Sequence, residues 1–159
     1  CICCCRRCCN SRSYVQRDIQ YQEDSITVLG SKTELKLYST KDDLRELYNS
    51  AVARAALYER LLDNKAKSDS AKALNGRQYG VVVTLEDGRR FLVVKGNQQG
   101  EGSDTVAIIA DHMTDDWVKI SSKTVFGSTL GDFIKAGGHG FDAVSDNGKE
   151  AAMRMMALA

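Results

Sequence analysis

The 159-residue chain contains no proline, and it contains no cysteine after position 9. Without proline, its turns must be formed mainly by glycine, asparagine, aspartate and serine. Because all six cysteines lie within the first nine residues, disulfides cannot close loops across the remainder of the chain. A disulfide framework for the folded part is therefore excluded. No apolar run approaches the roughly 20 residues that a membrane-spanning helix needs.

An excess of charge of one sign is also lacking, since 22 basic residues stand against 21 acidic ones. This balance gives no general attraction to polyanions, and we expect no nucleic-acid partner. The hydrophobic content of 43% and the charged content of 27% are typical of a soluble globular protein. The length is sufficient for one domain with its own buried core.

The cysteines mark the first part of the chain as distinct from the rest. We predict a cysteine-rich tail over residues 1–24, basic over 1–17, followed by a single domain over residues 25–159. The tail's arginines meet no acidic residue before Asp18. Its cysteines are Cys1, Cys3, Cys4, Cys5, Cys8 and Cys9.

Four interpretations of this cysteine cluster are open. S-acylation is favoured because the cysteines lie beside Arg6 and Arg7, and several acyl chains with basic residues anchor a protein well. The others are thiolate binding of Zn²⁺ or Cu⁺, disulfides between chains, and a tail without chemistry. We therefore expect residues 1–17 to contact a membrane surface or other proteins of an assembly. A cytoplasmic or peripheral membrane location is favoured over secretion.

The first third of the domain is predicted to contain two strands and one long helix. Ser25–Gly30 and Glu34–Tyr38 have strand composition, with a turn between them. Thr40 and Asp43 resemble a capping box at the start of a helix that runs to about Asp63. Residues 64–75 either fray that helix or prolong it to Gly76. Its apolar face repeats at helical spacing, through Leu44, Leu47, Tyr48, Ala51, Ala55, Tyr58, Leu61 and Leu62.

The remainder of the domain is predicted to be mostly sheet, closed by two short helices. Asp87 and Gly88 are typical of a hairpin turn, and they separate two valine-rich runs. Ser128 or Thr129 caps a helix that Gly137 and Gly138 end, and residues 97–104 are predicted as a loop. The predicted strands are Tyr79–Leu85, Arg90–Lys95, Thr105–Ala110 and Trp117–Ser121; the helices are Leu130–Ala136 and one from Asp146 or Asn147.

This order predicts an α+β fold in which one long helix precedes an antiparallel sheet and two short helices follow it. Residues 25–76 supply the first strands and the long helix, and residues 77–159 supply the core. Within that core, residues 79–83, 85–96 and 146–156 together resemble the lecithin:retinol acyltransferase-like group. Its members are permuted relatives of the papain-like NlpC/P60 enzymes, so the resemblance implies a permuted papain-like arrangement.

The resemblance also implies that the catalytic positions of the group are vacant here. The first histidine corresponds to Gln78, the second to Val94, and the nucleophilic cysteine to Gly148. Thiol catalysis needs a thiolate at the positive end of a helix and a histidine that exchanges its proton. None of these three residues supplies a thiolate or a group that exchanges its proton. The resemblance therefore predicts a catalytically dead domain with no cofactor, acting as a structural or interaction protein.

Two other functions stay open from the sequence. The first is an active thiol-type hydrolase or acyltransferase whose catalytic residues lie elsewhere, and the second is a domain that binds a small ligand. The only histidines are His112 and His139. His112 lies in an aspartate-rich turn that we interpret as a solvated loop rather than a metal site, and the glycines around His139 favour a turn rather than a phosphate-binding loop. We therefore expect no metal site in the domain.

Overall fold

The computed structural model describes residues 14–21, 24–61, 77–95, 105–138 and 148–159. In this part of the chain, a seven-stranded sheet in the order β1-β2-β6-β5-β4-β3-β7 carries helices on one face. The strands are β1 (Tyr14–Tyr21), β2 (Asp24–Ser31), β3 (Val52–Leu61), β4 (Arg77–Leu85), β5 (Arg90–Lys95), β6 (Thr105–Ile109) and β7 (Val118–Thr124). The helices are α1 (Lys32–Leu35), α2 (Lys41–Tyr48), α3 (Leu130–Gly137) and α4 (Gly148–Met156), with 3-10 turns at Lys36–Tyr38 and Ala110–His112.

The α+β class is confirmed, but the sheet is mixed rather than antiparallel. Strands β2 and β6 run parallel, with Val28 opposite Ala107, and all other neighbouring strands are antiparallel. A parallel pair requires a long connection between its strands. Here the connection between β2 and β6 contains three other strands of the sheet, β3, β4 and β5.

The prediction of one long helix over Thr40–Asp63 is wrong. The predicted capping box of Thr40 and Asp43 is present, but α2 ends at Tyr48. The side chains of Asn49 and Ser50 donate back to the carbonyls of Arg45 and Glu46, which satisfies groups at the helix end. The following residues form β3, which pairs with β4 on one side and β7 on the other. The apolar positions at helical spacing therefore belong to two different elements, α2 and β3. In the second of these, hydrogen bonding to a strand on each side prevails over the local preference for a helix.

Two further boundaries differ from the predictions. The predicted strand Glu34–Tyr38 is helical instead, because Ser31 and Glu34 form a reciprocal capping box that starts α1. The predicted tail over residues 1–24 is also too long, because β1 pairs along its whole length with β2. β1 lies at the edge of the sheet and pairs on one side only, so its sequence indicates a strand only weakly.

The other predicted elements are confirmed. Strands β4 and β5 form an antiparallel hairpin, closed by a turn in which Gly88 has φ 95°. Helix α3 begins at the N-cap Thr129 and ends at Gly138, whose φ is 75°. The last helix buries the predicted face of Ala151, Ala152, Met155 and Met156. The predictions for residues 64–75 and 97–104 lie outside the described residues.

Alternation along the strands divides the core between two faces of the sheet. The helix face packs against the helices and includes Val81, Val83, Phe91, Val93, Leu130, Phe133, Ala151 and Met155. The opposite face, here called the Trp117 face, is covered by the β6–β7 connection and includes Val82, Leu92, Val94, Val106, Ile108 and Trp117. No helix among the described residues is long and apolar enough to cross a membrane.

The C-terminal end of α3 is held by donors from three other elements. The Lys95 ammonium is buried and donates to the carbonyl of Gly137 at 3.2 Å. Arg154 donates to the carbonyls of Ala136 and Gly137, and the Thr105 hydroxyl donates to that of Gly138. Cationic donors at this end of a helix complement the helix dipole and its unpaired carbonyls. The buried charge of Lys95 therefore has a structural role.

Candidate functional site

The three positions that the resemblance aligns with catalytic residues do not share one face of the sheet. Gln78 is buried on the Trp117 face, where its side-chain oxygen accepts a hydrogen bond from Arg60. Val94 is buried on the same face. Gly148 is the first residue of α4, as predicted, but the buried side chains of that helix pack on the helix face. The sheet therefore separates Val94 and the Gln78 side chain from the start of α4.

Arg60 is the most heavily buried arginine of the described chain, with 8% of its surface exposed. Its Nε donates to the Gln78 side-chain oxygen at 2.8 Å, and Nη1 donates to the Thr114 hydroxyl at 3.2 Å. Nη1 also lies 3.9 Å from an oxygen of Asp116. Burial lowers the pKa of Arg60, and the Asp116 carboxylate raises it in part. An arginine remains charged under these conditions, so the Arg60 guanidinium is not suited to proton exchange.

The Arg60 cluster instead fixes the β6–β7 connection to the sheet. Its anchor points are Gln78 on β4 and Thr114 in the connection, and the Thr114 hydroxyl itself donates to Asp116. The connection leads directly into β7. The position of that edge strand therefore depends on a partly buried, charge-assisted network.

A shallow cavity of about 260 Å³ opens where β3 ends and where β4 and β7 begin. Two ion pairs line this cavity. Glu59 and Arg77 form one, at 3.3 Å, and Arg60 and Asp116 form the other. The four charges cancel, and the remaining surface is largely apolar. The lining residues are Glu59, Arg60, Leu61, Arg77, Asp116 and Val118.

His112 contacts a carboxylate from another element rather than the aspartates beside it. Its Nε2 is hydrogen-bonded to Oε2 of Glu34, the capping residue of α1. Partial burial raises the pKa of Glu34, but the contacts with His112 and Ser31 together hold it below its ordinary value. Within the described ranges, no three His, Cys, Asp or Glu side chains are grouped so that they could hold a metal ion. His139 and the six cysteines, Cys1 to Cys9, lie outside the described residues.

Strand β7 is an edge of the sheet in the described chain, and all seven of its residues are exposed. Val118 and Ile120 leave 60% and 48% of their surfaces in solvent, and Phe126 just beyond the strand leaves 86%. The pairing with β3 shifts between Leu57 and Tyr58, which is a bulge at the level of Ile120. One side of β7 therefore presents backbone donors and acceptors that no described strand uses.

No family model, curated protein or solved structure matches this chain. The assignment of a site therefore depends on the geometry of the described residues. Among the described strands, β7 combines one unpaired side with exposed side chains along its whole length.

Sequence reasoning identified a strand at Trp117–Ser121 but not its position at an edge. Lys119 and Lys123, spaced along a serine-containing strand, were the available signal, because charged residues are typical of sheet edges. Arg60 was missed for a different reason. It lies within the segment that was predicted as a helix and is not one of its apolar positions, whereas in β3 it faces Gln78 of β4.

Proposed function

We propose that this protein is a non-enzymatic interaction protein that accepts an extended segment of another protein along β7. The observation that carries the proposal is the exposure of every residue in β7, including Val118 and Ile120. Edge strands add a partner strand through main-chain hydrogen bonds, while alternate side chains supply specificity. The bulge and the lysines limit unselective pairing without removing the edge.

The proposal that the domain is catalytically dead is supported by the side chains present. Beyond residue 9 the chain has no thiol. Of its two histidines, His112 contacts the Glu34 carboxylate, and His139 lies outside the described residues. The relationship to the lecithin:retinol acyltransferase-like group remains part of this proposal. In that view the cysteine-rich residues tether or assemble the protein, and β7 receives the partner.

Selection from an unbiased library of displayed seven-residue peptides tests the docking proposal. The target is the full chain with its six cysteines replaced by serine. Selected peptides should lose affinity for the double variant Val118→Ser/Ile120→Ser because its edge lacks apolar contacts. They should retain affinity for Leu37→Ser, which alters another exposed apolar residue, 70% exposed, away from β7. Equal binding to both variants, or the absence of any binder, would exclude β7 as the docking surface.

The same serine background tests the absence of catalysis. Introducing Gly148→Cys places a thiol in the first turn of α4, but no histidine of the described chain accompanies it there. We expect no turnover of an activated thioester above that of the parent chain. Sustained turnover, rather than single labelling of the new thiol, would show that a catalytic base is present.

The cavity beside Arg60 favours the small-ligand function as a second candidate. Its paired charges and apolar wall suit a small amphipathic molecule. If this cavity is the functional site, a small-molecule screen should yield ligands whose binding is lost on Arg77→Ala. Ligands indifferent to that substitution would exclude it.

A further inference from the structure

We propose that the segment accepted by β7 is acidic, so that its carboxylates pair with Lys119, Lys123 and Arg54. This inference rests on the proposed docking function and adds the chemistry of the partner. It follows from the distribution of charge along the edge.

The edge carries cations without matching anions. Val118–Thr124 contains two lysines and no acidic residue, and Arg54 lies opposite Thr124 on β3. Neither lysine forms an ion pair with any residue in the described part of the chain, and Arg54 makes only a 3.4 Å hydrogen bond to the Ser122 hydroxyl. Unneutralised cations on an exposed edge favour association with an acidic partner and oppose a basic one.

The cations flank both faces of the edge because of the bulge. Lys119 lies opposite Tyr58, whose side chain is on the Trp117 face. Lys123 lies opposite Ala55, which is on the helix face. An added strand alternates its side chains between the same two faces. Acidic residues at the odd or the even positions of the added strand would therefore lie near one of the two lysines.

A second copy of this chain fits the edge less well. Pairing β7 with its own copy would bring four lysines together without a single carboxylate from either strand, and like charges across a strand pair are destabilising. Nucleic acid also fits poorly. Phosphates do not use the alternating backbone donors and acceptors that an edge strand presents. The edge therefore favours an acidic polypeptide.

Three matched peptides test the inference on the full chain with its cysteines replaced by serine. Each has seven residues, the length of β7, and alternates valine with glutamate, glutamine or lysine. Fluorescence anisotropy should show the order glutamate, glutamine, lysine, with the affinity of the glutamate peptide decreasing as salt increases. The variant Lys119→Glu/Lys123→Glu should weaken that peptide by about tenfold or more, which corresponds to about 1.4 kcal/mol.

A charge-matched control is available on the opposite part of the molecule. Lys36→Glu/Lys41→Glu makes the same change in net charge at exposed lysines near α1 and α2, and it should leave the affinity unchanged. Equal loss in both variants would overturn the inference in favour of a general charge effect. A short single-stranded DNA that binds as tightly as the glutamate peptide, with the same sensitivity to the β7 variant, would also overturn it.

The outcomes separate this inference from the docking function. If glutamate and glutamine peptides bind equally at β7, the acidic preference fails and the docking function stands. If none of the three peptides binds and the unbiased library yields no ligand for β7, both proposals fail.

Discussion

The guanidinium of Arg60 lies over the indole ring of Trp117, with Cζ 4.9 Å from the ring centroid. Trp117 immediately precedes β7, and Arg60 belongs to β3, the strand that pairs with β7. The contact therefore couples the core of the sheet to the start of its exposed edge. Burial increases the stabilisation that this contact provides, since cation–π contacts strengthen when water is excluded.

Replacing Arg60 should destabilise the fold and loosen the β6–β7 connection. Arg60→Met retains much of the side-chain volume but leaves the buried Gln78 oxygen without its 2.8 Å donor. We expect a loss of about 2–3 kcal/mol in the free energy of unfolding, with altered Trp117 fluorescence. Arg77→Met is the control, because that arginine is half exposed in its ion pair and should contribute less than about 1 kcal/mol. Similar losses for the two variants would contradict the assigned role of Arg60.

The packing of α3 against α2 depends on a glycine. A Cβ placed on Gly131 would lie 2.2 Å from Cε1 of the Tyr48 ring. Gly131→Ala should therefore destabilise the protein by about 1–3 kcal/mol, as overpacking does in other cores. Combining it with Tyr48→Leu should restore part of that loss, because the smaller side chain leaves room. Strictly additive effects in chemical denaturation would show that the two residues do not compete for space.

The Glu34–His112 pair predicts a specific dependence of stability on pH. The folded-state pKa of Glu34 lies below its ordinary value of 4.5, so the ionised carboxylate stabilises the fold above that pH. The contribution is lost as pH falls through the lower, folded-state pKa. The stability difference between the wild type and Glu34→Gln should thus shrink on acidification below 4.5. Glu86→Gln, at an exposed turn, is the control, and an unchanged Glu34→Gln difference would exclude this linkage.

The cysteine-rich segment should act on its surroundings and not on domain stability. Replacing all six cysteines with serine should leave the melting temperature nearly unchanged, because no other cysteine of the chain is available as a partner. It should abolish membrane partitioning if the cysteines are acylated, or assembly if they cross-link chains. Hydroxylamine separates the two cases, since it cleaves thioesters and leaves disulfides intact. Unchanged partitioning and oligomer size would contradict both, and a large loss of thermal stability would show that the segment folds into the domain.

The sequence predicted the elements whose signals are local. The turn at Gly88, the capping box at Thr129 and the apolar face of α4 depend on residues close together in the chain, and all are present. The helix prediction was wrong for the region after Tyr48, because the spacing of its apolar residues is also compatible with a strand. Its outcome was decided by pairing with β4 and β7, which a local pattern does not contain.

The candidate site was less accessible to sequence reasoning for a related reason. Gln78 and Val94 could be assigned to neighbouring strands, but the face of each side chain and the face covered by α4 depend on register and helix packing. Exposure of β7 likewise depends on the strand order of the whole sheet. The lysines of β7 were visible in the sequence, whereas their position at an edge was not.

The central claim, that β7 receives an added strand, is tested most directly by residue-resolved amide hydrogen exchange. The measurement compares the full chain, with its cysteines replaced by serine, in the presence and absence of the glutamate–valine peptide. We predict slower exchange at alternate amides of Val118–Thr124, those not already paired with β3, and little change in the β4–β5 hairpin. Unchanged exchange throughout β7 with peptide bound, or protection confined to another element, would contradict the account.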